Sequence, residues 1–222
     1  MPAPSSSAPP APWSKPRGLL LDAMGTLIGL QRPVGSSYAA VAAEHGISLE
    51  AEAADAAFRQ VLSQAPPLAF DSLEPDALLR AEQDWWGERI AETFGQAGAP
   101  EPDQELRLAL FEHFAQGEQW QVYPDVLQQL QRWHAAGLKL AVVSNFDRRL
   151  HGLLEQLELD LWFDAVVVSS EAGAAKPDPR PFALALSALE LRADEAWHVG
   201  DSPEDLAGAR AAGLRCVLIE RG

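Results

Sequence analysis

The chain carries one cysteine, Cys216, and so cannot close an internal disulfide. That residue sits in the apolar run "RCVLIE", where an inert thiol is expected rather than a nucleophile. Such sparing use of cysteine suits a reducing, cytoplasmic setting. Positive charge is short as well: 17 basic side chains against 32 acidic ones leave a formal net charge of -15. A field of that sign repels nucleic acid and anionic membranes, so neither is an expected partner, and a phosphate-bearing ligand needs a local cation to hold it. No apolar run approaches the ~20 residues of a membrane-spanning helix. The opening "MPAPSSSAPPAPWSKP" lacks the apolar stretch of a secretory signal, and its Pro, Ser and Ala content reads as a flexible tail over residues 1–15. Apolar side chains, by contrast, make up 47% of the 222 residues, enough to bury a core.

From Trp120 onward the pattern alternates. The runs "LKLAVVS" (138–144), "FDAVVVS" (163–169), "AWHVGD" (196–201) and "RCVLIE" (215–220) are β-branched, apolar and too short for helices. They fit strands covered on both faces. Between them lie helical stretches: one with Val126, Leu127, Leu130 and Trp133 on one face, and one with Asp147 as N-cap ahead of Leu150, Leu153, Leu154 and Leu157. A third has Ser202 as cap, Pro203 in the first turn and Gly213 at the exit. Strand–helix alternation of this kind predicts an α/β fold with a doubly wound parallel sheet, joined from the N-terminal side by "GLLL". Between Gln31 and Gln119 strand signals vanish, and four amphipathic stretches broken by Gly and Pro predict an all-helical insertion.

In open α/β sheets ligands sit beyond the carboxyl ends of the strands. The residues that follow the strands here are Asp22, then Ser144 and Asn145, then Lys176, then Asp201 with Asp205 in the next helical turn. The chain has three lysines and one asparagine, yet Lys176 and Asn145 both fall at this edge. These residues resemble the motifs of the haloacid dehalogenase-like hydrolase superfamily, in the group with a helical cap inserted after the first motif. The four motifs stand in order as "DAMGTL", "VVSN", "KPDPRPF" and "VGDSPED".

The resemblance implies a Rossmann-like core formed by residues 16–31 and 120–222 and a cap formed by 32–119, hinged at 32–34 and 120–123. It implies that Asp22 attacks an electrophilic phosphorus and forms an aspartyl intermediate. It implies a Mg²⁺ ion held by Asp22, the backbone carbonyl of Met24 and Asp201, with Asp205 holding the ion or its water. Thr26, Ser144 and Asn145 would meet phosphate oxygens, and Lys176 would neutralise charge on the nucleophile and phosphoryl group. The substrate so implied is a small phosphorylated metabolite.

Phosphatases of the family carry an aspartate where this chain has Met24. It protonates the leaving group and later deprotonates water, and a thioether can do neither. Such help is worth about 10²–10⁴-fold, or roughly 3–5 kcal/mol of barrier. Two other readings therefore stand beside a weakened phosphatase. The family's dehalogenases also lack an acid there, but Asp201 and Asp205 would repel a haloacid carboxylate by about 4 kcal/mol per close pair. A member that binds a ligand without turnover is the third. Elsewhere, Arg32 and Arg59 are candidates to reach a substrate anion, the first at near-even weight and the second more simply solvated. Trp85 and Trp86, about 100° apart on a helix, cannot share one face, so at least one is expected to pack the insertion. His198 is expected as a buried, bonded histidine.

Acyl and aryl phosphates, whose leaving groups depart unprotonated, should turn over faster than an alkyl monoester. Steady-state rates on acetyl phosphate, p-nitrophenyl phosphate and an alkyl ester check this, and Met24→Asp should raise the alkyl rate by about 10²-fold or more.

Overall fold

A strand whose every side chain is apolar must be covered on both faces, and the chain meets that demand around β1 (Gly18–Leu21), in which all four residues are buried. A computed structural model describes residues 15–221; apart from Lys15, the expected tail lies outside them. After β1 come β2 (Ile28–Leu30) and four helices, α1 (Val34–Glu44), α2 (Ala51–Gln64), α3 (Pro75–Gln96) and α4 (Gln104–His113). Then follow β3 (Trp120–Val122), α5 (Val126–Ala135), β4 (Lys139–Ser144), α6 (Arg149–Gln156), β5 (Ala165–Val168) and the short α7 (Ser169–Ala172). The last elements are α8 (Arg180–Ala188), β6 (Ala196–Gly200), α9 (Pro203–Ala211) and β7 (Arg215–Leu218).

Five strands form one parallel sheet in the order β5-β4-β1-β6-β7. Side chains alternate across β1. Leu19 and Leu21 pack with Val126 and Leu130 of α5 and with Leu150, Leu153 and Leu154 of α6. Leu20 packs on the other face with Phe182 and Ala185 of α8 and Ala209 of α9. The sheet is thus doubly wound. Its strand order reverses at β1, so the ends of β1, β4 and β6 open onto one crevice.

Helices α1–α4 form their own apolar cluster, with Tyr38 ringed by Phe58, Phe94 and Phe114 at centroid distances of 5.8, 6.2 and 6.0 Å. Polar contacts seat this insert on the sheet. Trp86 Nε1 donates to Asp147 at 2.7 Å, and the Arg148 amide and Nε reach the Glu82 carboxylate at 3.1 Å each. Arg149 donates to the Phe111 carbonyl at 2.6 Å, and the Ser169 hydroxyl to the Leu68 carbonyl at 2.6 Å. Glu82 and Asp147 are fully buried. Burial lifts the Glu82 carboxyl pKa above the ordinary value, against the Arg148 amide bond that lowers it.

Several expectations need correction. Strands β2 and β3, three residues each, carry no readable periodicity, yet they pair antiparallel with Ile28 opposite Val122 and Leu30 opposite Trp120. The segment 120–123 is therefore largely a paired strand rather than bare hinge. Leu127 is exposed because α5 buries only Val126 and Leu130 completely. Asp147 lies two residues ahead of α6 and is held by the Arg149 amide and guanidinium instead of capping the helix in the usual place. The α9 entry agrees with expectation: Ser202 Oγ accepts from the Asp205 amide at 3.1 Å, Pro203 opens the helix and Gly213 leaves it at φ +78°. Among the described residues no helix is long and apolar enough to cross a membrane.

Leu20→Ala, at the centre of the sheet, should cost about 2–5 kcal/mol. Urea unfolding should show a lowered midpoint with unchanged slope.

Candidate active site at the carboxyl edge of the sheet

Strand β1 ends where its chain must turn sharply, and the turn is built on one carbonyl. Ala23 O accepts from Thr26, Leu27 and Ile28 amides at 3.2, 2.7 and 3.0 Å, while the Asp22 amide is tied to Val199 of β6 at 2.9 Å. Gly25 is required there. Its φ is +83°, and a Cβ would stand 2.2 Å from Asp201 Oδ2. Gly200 serves the same end on β6, since a Cβ there would lie 2.3 Å from the Asp205 carboxyl carbon. Both glycines let backbone approach carboxylates.

Asp22 is 5% exposed and Lys176 is 6% exposed. The Lys176 ammonium bridges two acids, at 2.5 Å from Asp22 Oδ1 and 2.6 Å from Asp205 Oδ1. Ser144, at the end of β4, donates its hydroxyl to the same Asp22 oxygen at 3.2 Å. Asn145 clasps the Lys176 backbone from both sides, accepting from its amide at 2.7 Å and donating to its carbonyl at 2.9 Å. An amide nitrogen carries two hydrogens, so one remains for the cleft that Asn145 lines. Asp205 accepts from Lys176, from His198 Nε2 at 2.7 Å, and from the Ser202 amide and hydroxyl at 3.1 and 2.7 Å. His198 is buried as expected, with its ring edge-on to Phe182 and its Nδ1 without a partner.

The charges respond to this crowding. Burial works against the Lys176 ammonium, but Asp22 and Asp205 outweigh it and raise its pKa. Burial would also raise the Asp205 carboxyl, yet the bonds from His198 and Lys176 pull it well below the ordinary range. Asp201 goes the other way: partial burial and then the charges of Asp22 and Asp205 raise its pKa. Carboxylate oxygens of Asp22, Asp201 and Asp205 lie within 4.8 Å of one another, an all-oxygen set of the kind hard divalent cations take.

The other candidates fall around this centre. Thr26 is buried behind it and reaches Asp201 Oδ1 at 3.4 Å, away from the cleft lined by Asp22, Ser144, Asn145, Lys176 and Asp201. Met24 is 45% exposed and lines that cleft. Arg32 lines an adjoining open cleft with Glu204 and Arg59, and Arg59 pairs with Asp55 on its own helix. Trp85 is buried with Arg89 stacked on its ring at 5.3 Å, whereas Trp86 lines an apolar cavity between insert and sheet. Glu204 at the cleft and the Asp147–Arg149 seat carried no separate signal in the sequence. Only their neighbourhood to the motifs could have marked them.

A family model described as haloacid dehalogenase-like hydrolase matches residues 16–213. The chain belongs to this family. Among similar proteins of the family, the Bos taurus haloacid dehalogenase-like hydrolase domain-containing protein 3 is 39% identical over 206 residues, spanning 91% of this chain and 81% of that one. A phosphoserine phosphatase from Thermus thermophilus is 36% identical over 151 residues, spanning 65% of this chain and 59% of its own. Among solved structures, an L-2-haloacid dehalogenase from Xanthobacter autotrophicus superposes with a TM-score of 0.67 at 25% identity, over 91% of this chain and 77% of that one. The chain is thus similar both to a protein named as a phosphatase and to one named as a dehalogenase.

Asp201→Asn should stabilise the protein when no divalent cation is present. A raised carboxyl pKa means that ionising Asp201 costs folded-state stability above the ordinary carboxylate pKa of ~3.9, and the cost fades as pH falls below it. Asp201 is half open to solvent, so screening holds the gain under about 1 kcal/mol, at most about 2–4 °C in Tm. Thermal melts at pH 7 and pH 4 should show the gain at the first and its loss at the second. Added Mg²⁺ should raise the Tm of wild type only.

Proposed function

We propose that the protein is a Mg²⁺-dependent phosphatase for a small phosphorylated metabolite, working through an aspartyl intermediate on Asp22. The observation that carries the reading is the Lys176 ammonium lodged between Asp22 and Asp205, with Asp201 beside them at the crevice. Three carboxylates faced by one lysine leave negative charge uncompensated, which a divalent cation fits. Asp22, Asp201 and the Met24 carbonyl would hold it, while Asp205, already accepting four hydrogen bonds, would act through Lys176 and bound water. When bound, the ion screens the repulsion between the nucleophile and the phosphoryl oxygens.

The chain's own groups supply the rest. Lys176 and Ser144 hold Asp22 Oδ1, which orients the carboxylate for attack. Lys176 keeps its proton throughout, because both acids raise its pKa, and so serves as fixed positive charge rather than as an acid. The spare Asn145 hydrogen would meet a phosphoryl oxygen, and Ser144 would do so only by releasing the one hydrogen it gives to Asp22. The helical insert, residues 32–119, would act as a cap that excludes water. Met24 supplies no proton, so the leaving group must depart as a stable anion. The likeness to a protein named as a phosphoserine phosphatase supports this reading. The likeness to a dehalogenase keeps halide displacement as the second reading, against which the acid cluster weighs.

A screen of phosphorylated metabolites with Mg²⁺ or EDTA tests it. Phosphate release should require Mg²⁺ and fall about 10³-fold or more in Asp22→Asn. Metal-independent halide release from a 2-haloacid, with no phosphate release, would replace the proposal.

A further inference from the structure

We infer that the group Asp22 displaces from phosphorus is the carboxylate of a short, branched aliphatic acid with no further charge, so that the substrate class is an acyl phosphate; this rests on the phosphatase reading. Two independent features converge on it. The first is Met24. It lines the Asp22 cleft and also lines an apolar cavity of about 80 Å³ between the insert and the sheet. Leu30 does the same, so whatever is bonded to a phosphoryl group at Asp22 passes these two side chains to enter the cavity. The second is the cavity wall. It is built from side chains such as Val34, Tyr38, Ile90, Leu110 and Phe146.

Its three hydrogen-bonding side chains besides Tyr38 are committed elsewhere, Trp120 giving its N–H to the Phe114 carbonyl at 3.0 Å. Trp86 gives its one N–H to Asp147, and Arg149 spends its guanidinium on both Asp147 oxygens and the Phe111 carbonyl. Arg149 is thus neutralised by Asp147 and stacked 3.8 Å over the Phe111 ring, and it offers no unmatched charge to a polar tail. A charged group entering here would lose its water and find only the Tyr38 hydroxyl in return. The volume is roughly half the ~150 Å³ of a dry cavity that admits benzene, which selects a few carbons and not a ring.

The chemistry closes with the groups present. An Asp22 oxygen forms a bond to phosphorus as the bond from phosphorus to the acyl oxygen breaks. The electron pair leaves on a carboxylate, which needs no proton at neutral pH, so the thioether of Met24 is no handicap in this first step. Water then attacks phosphorus, the aspartyl bond breaks with its electron pair returning to Asp22, and the water's proton passes to phosphate or solvent. The products are a carboxylate and inorganic phosphate.

The test is kcat/KM of the full chain with Mg²⁺ on acetyl, isobutyryl, benzoyl and succinyl phosphate. Isobutyryl phosphate should exceed acetyl by about 10-fold, the worth of two buried carbons, with benzoyl and succinyl below isobutyryl. Val34→Phe, which fills the cavity, should erase the isobutyryl-to-acetyl ratio, and the wild-type series decides the matter should that variant fail to fold. Acetyl turnover equal to or above isobutyryl, or preference for succinyl, overturns the inference while leaving the phosphatase reading intact. Absence of Mg²⁺-dependent phosphate release from every acyl phosphate and every metabolite in the earlier screen overturns both.

Discussion

One ammonium group between two carboxylates organises this molecule. Burying Asp22 and Asp205 at the end of a sheet without compensation would cost several kcal/mol for each ion. Lys176 meets both, and its own position is fixed by the Asn145 clasp on its backbone. The arrangement ties together the ends of β1, β4 and α9 and the loop before α8, four segments far apart in the chain. Gly25 and Gly200 let the backbone come close to the carboxylates of Asp201 and Asp205 respectively. The salt bridges that orient the Asp22 carboxylate are therefore the same ones that close the sheet edge.

Much of this was legible in the sequence because sheets translate linear pattern into place. Apolar runs ending in Asp22, Ser144 and Asp201 located the crevice, since every parallel strand delivers its last residue to the same side. Lys176 and Asn145 were marked by rarity. What escaped was short-range or three-dimensional. Strands β2 and β3 are too brief for a period to register. Thr26 stands at the motif position but turns toward Asp201, a choice made by the Ala23-centred turn. The role of Asn145 toward Lys176 depends on a loop conformation that no spacing encodes.

Met24 gains its meaning from its surroundings more than from its identity. By sequence it is a missing acid. In the fold it is a half-exposed thioether shared by an acidic cleft and an apolar cavity, so polar chemistry and apolar recognition meet at one flexible side chain. A carboxylate at the same position would face the cavity wall of Leu30 and Phe146 and lose hydration there. The side chain that can carry no proton is also the one that borders the apolar cavity.

The seat of the insert carries a last consequence. Glu82 and Asp147 have no solvent exposure, and their partners Arg148, Arg149 and Trp86 come from opposite sides of the joint. Swinging the insert away at this edge would part Glu82 from Arg148 and Trp86 from Asp147, while Asp147 would keep Arg149. The joint is thus held by direct polar contacts on this side, whereas on the side of Arg32, Arg59 and Glu204 the cleft is open and its charges are already wet.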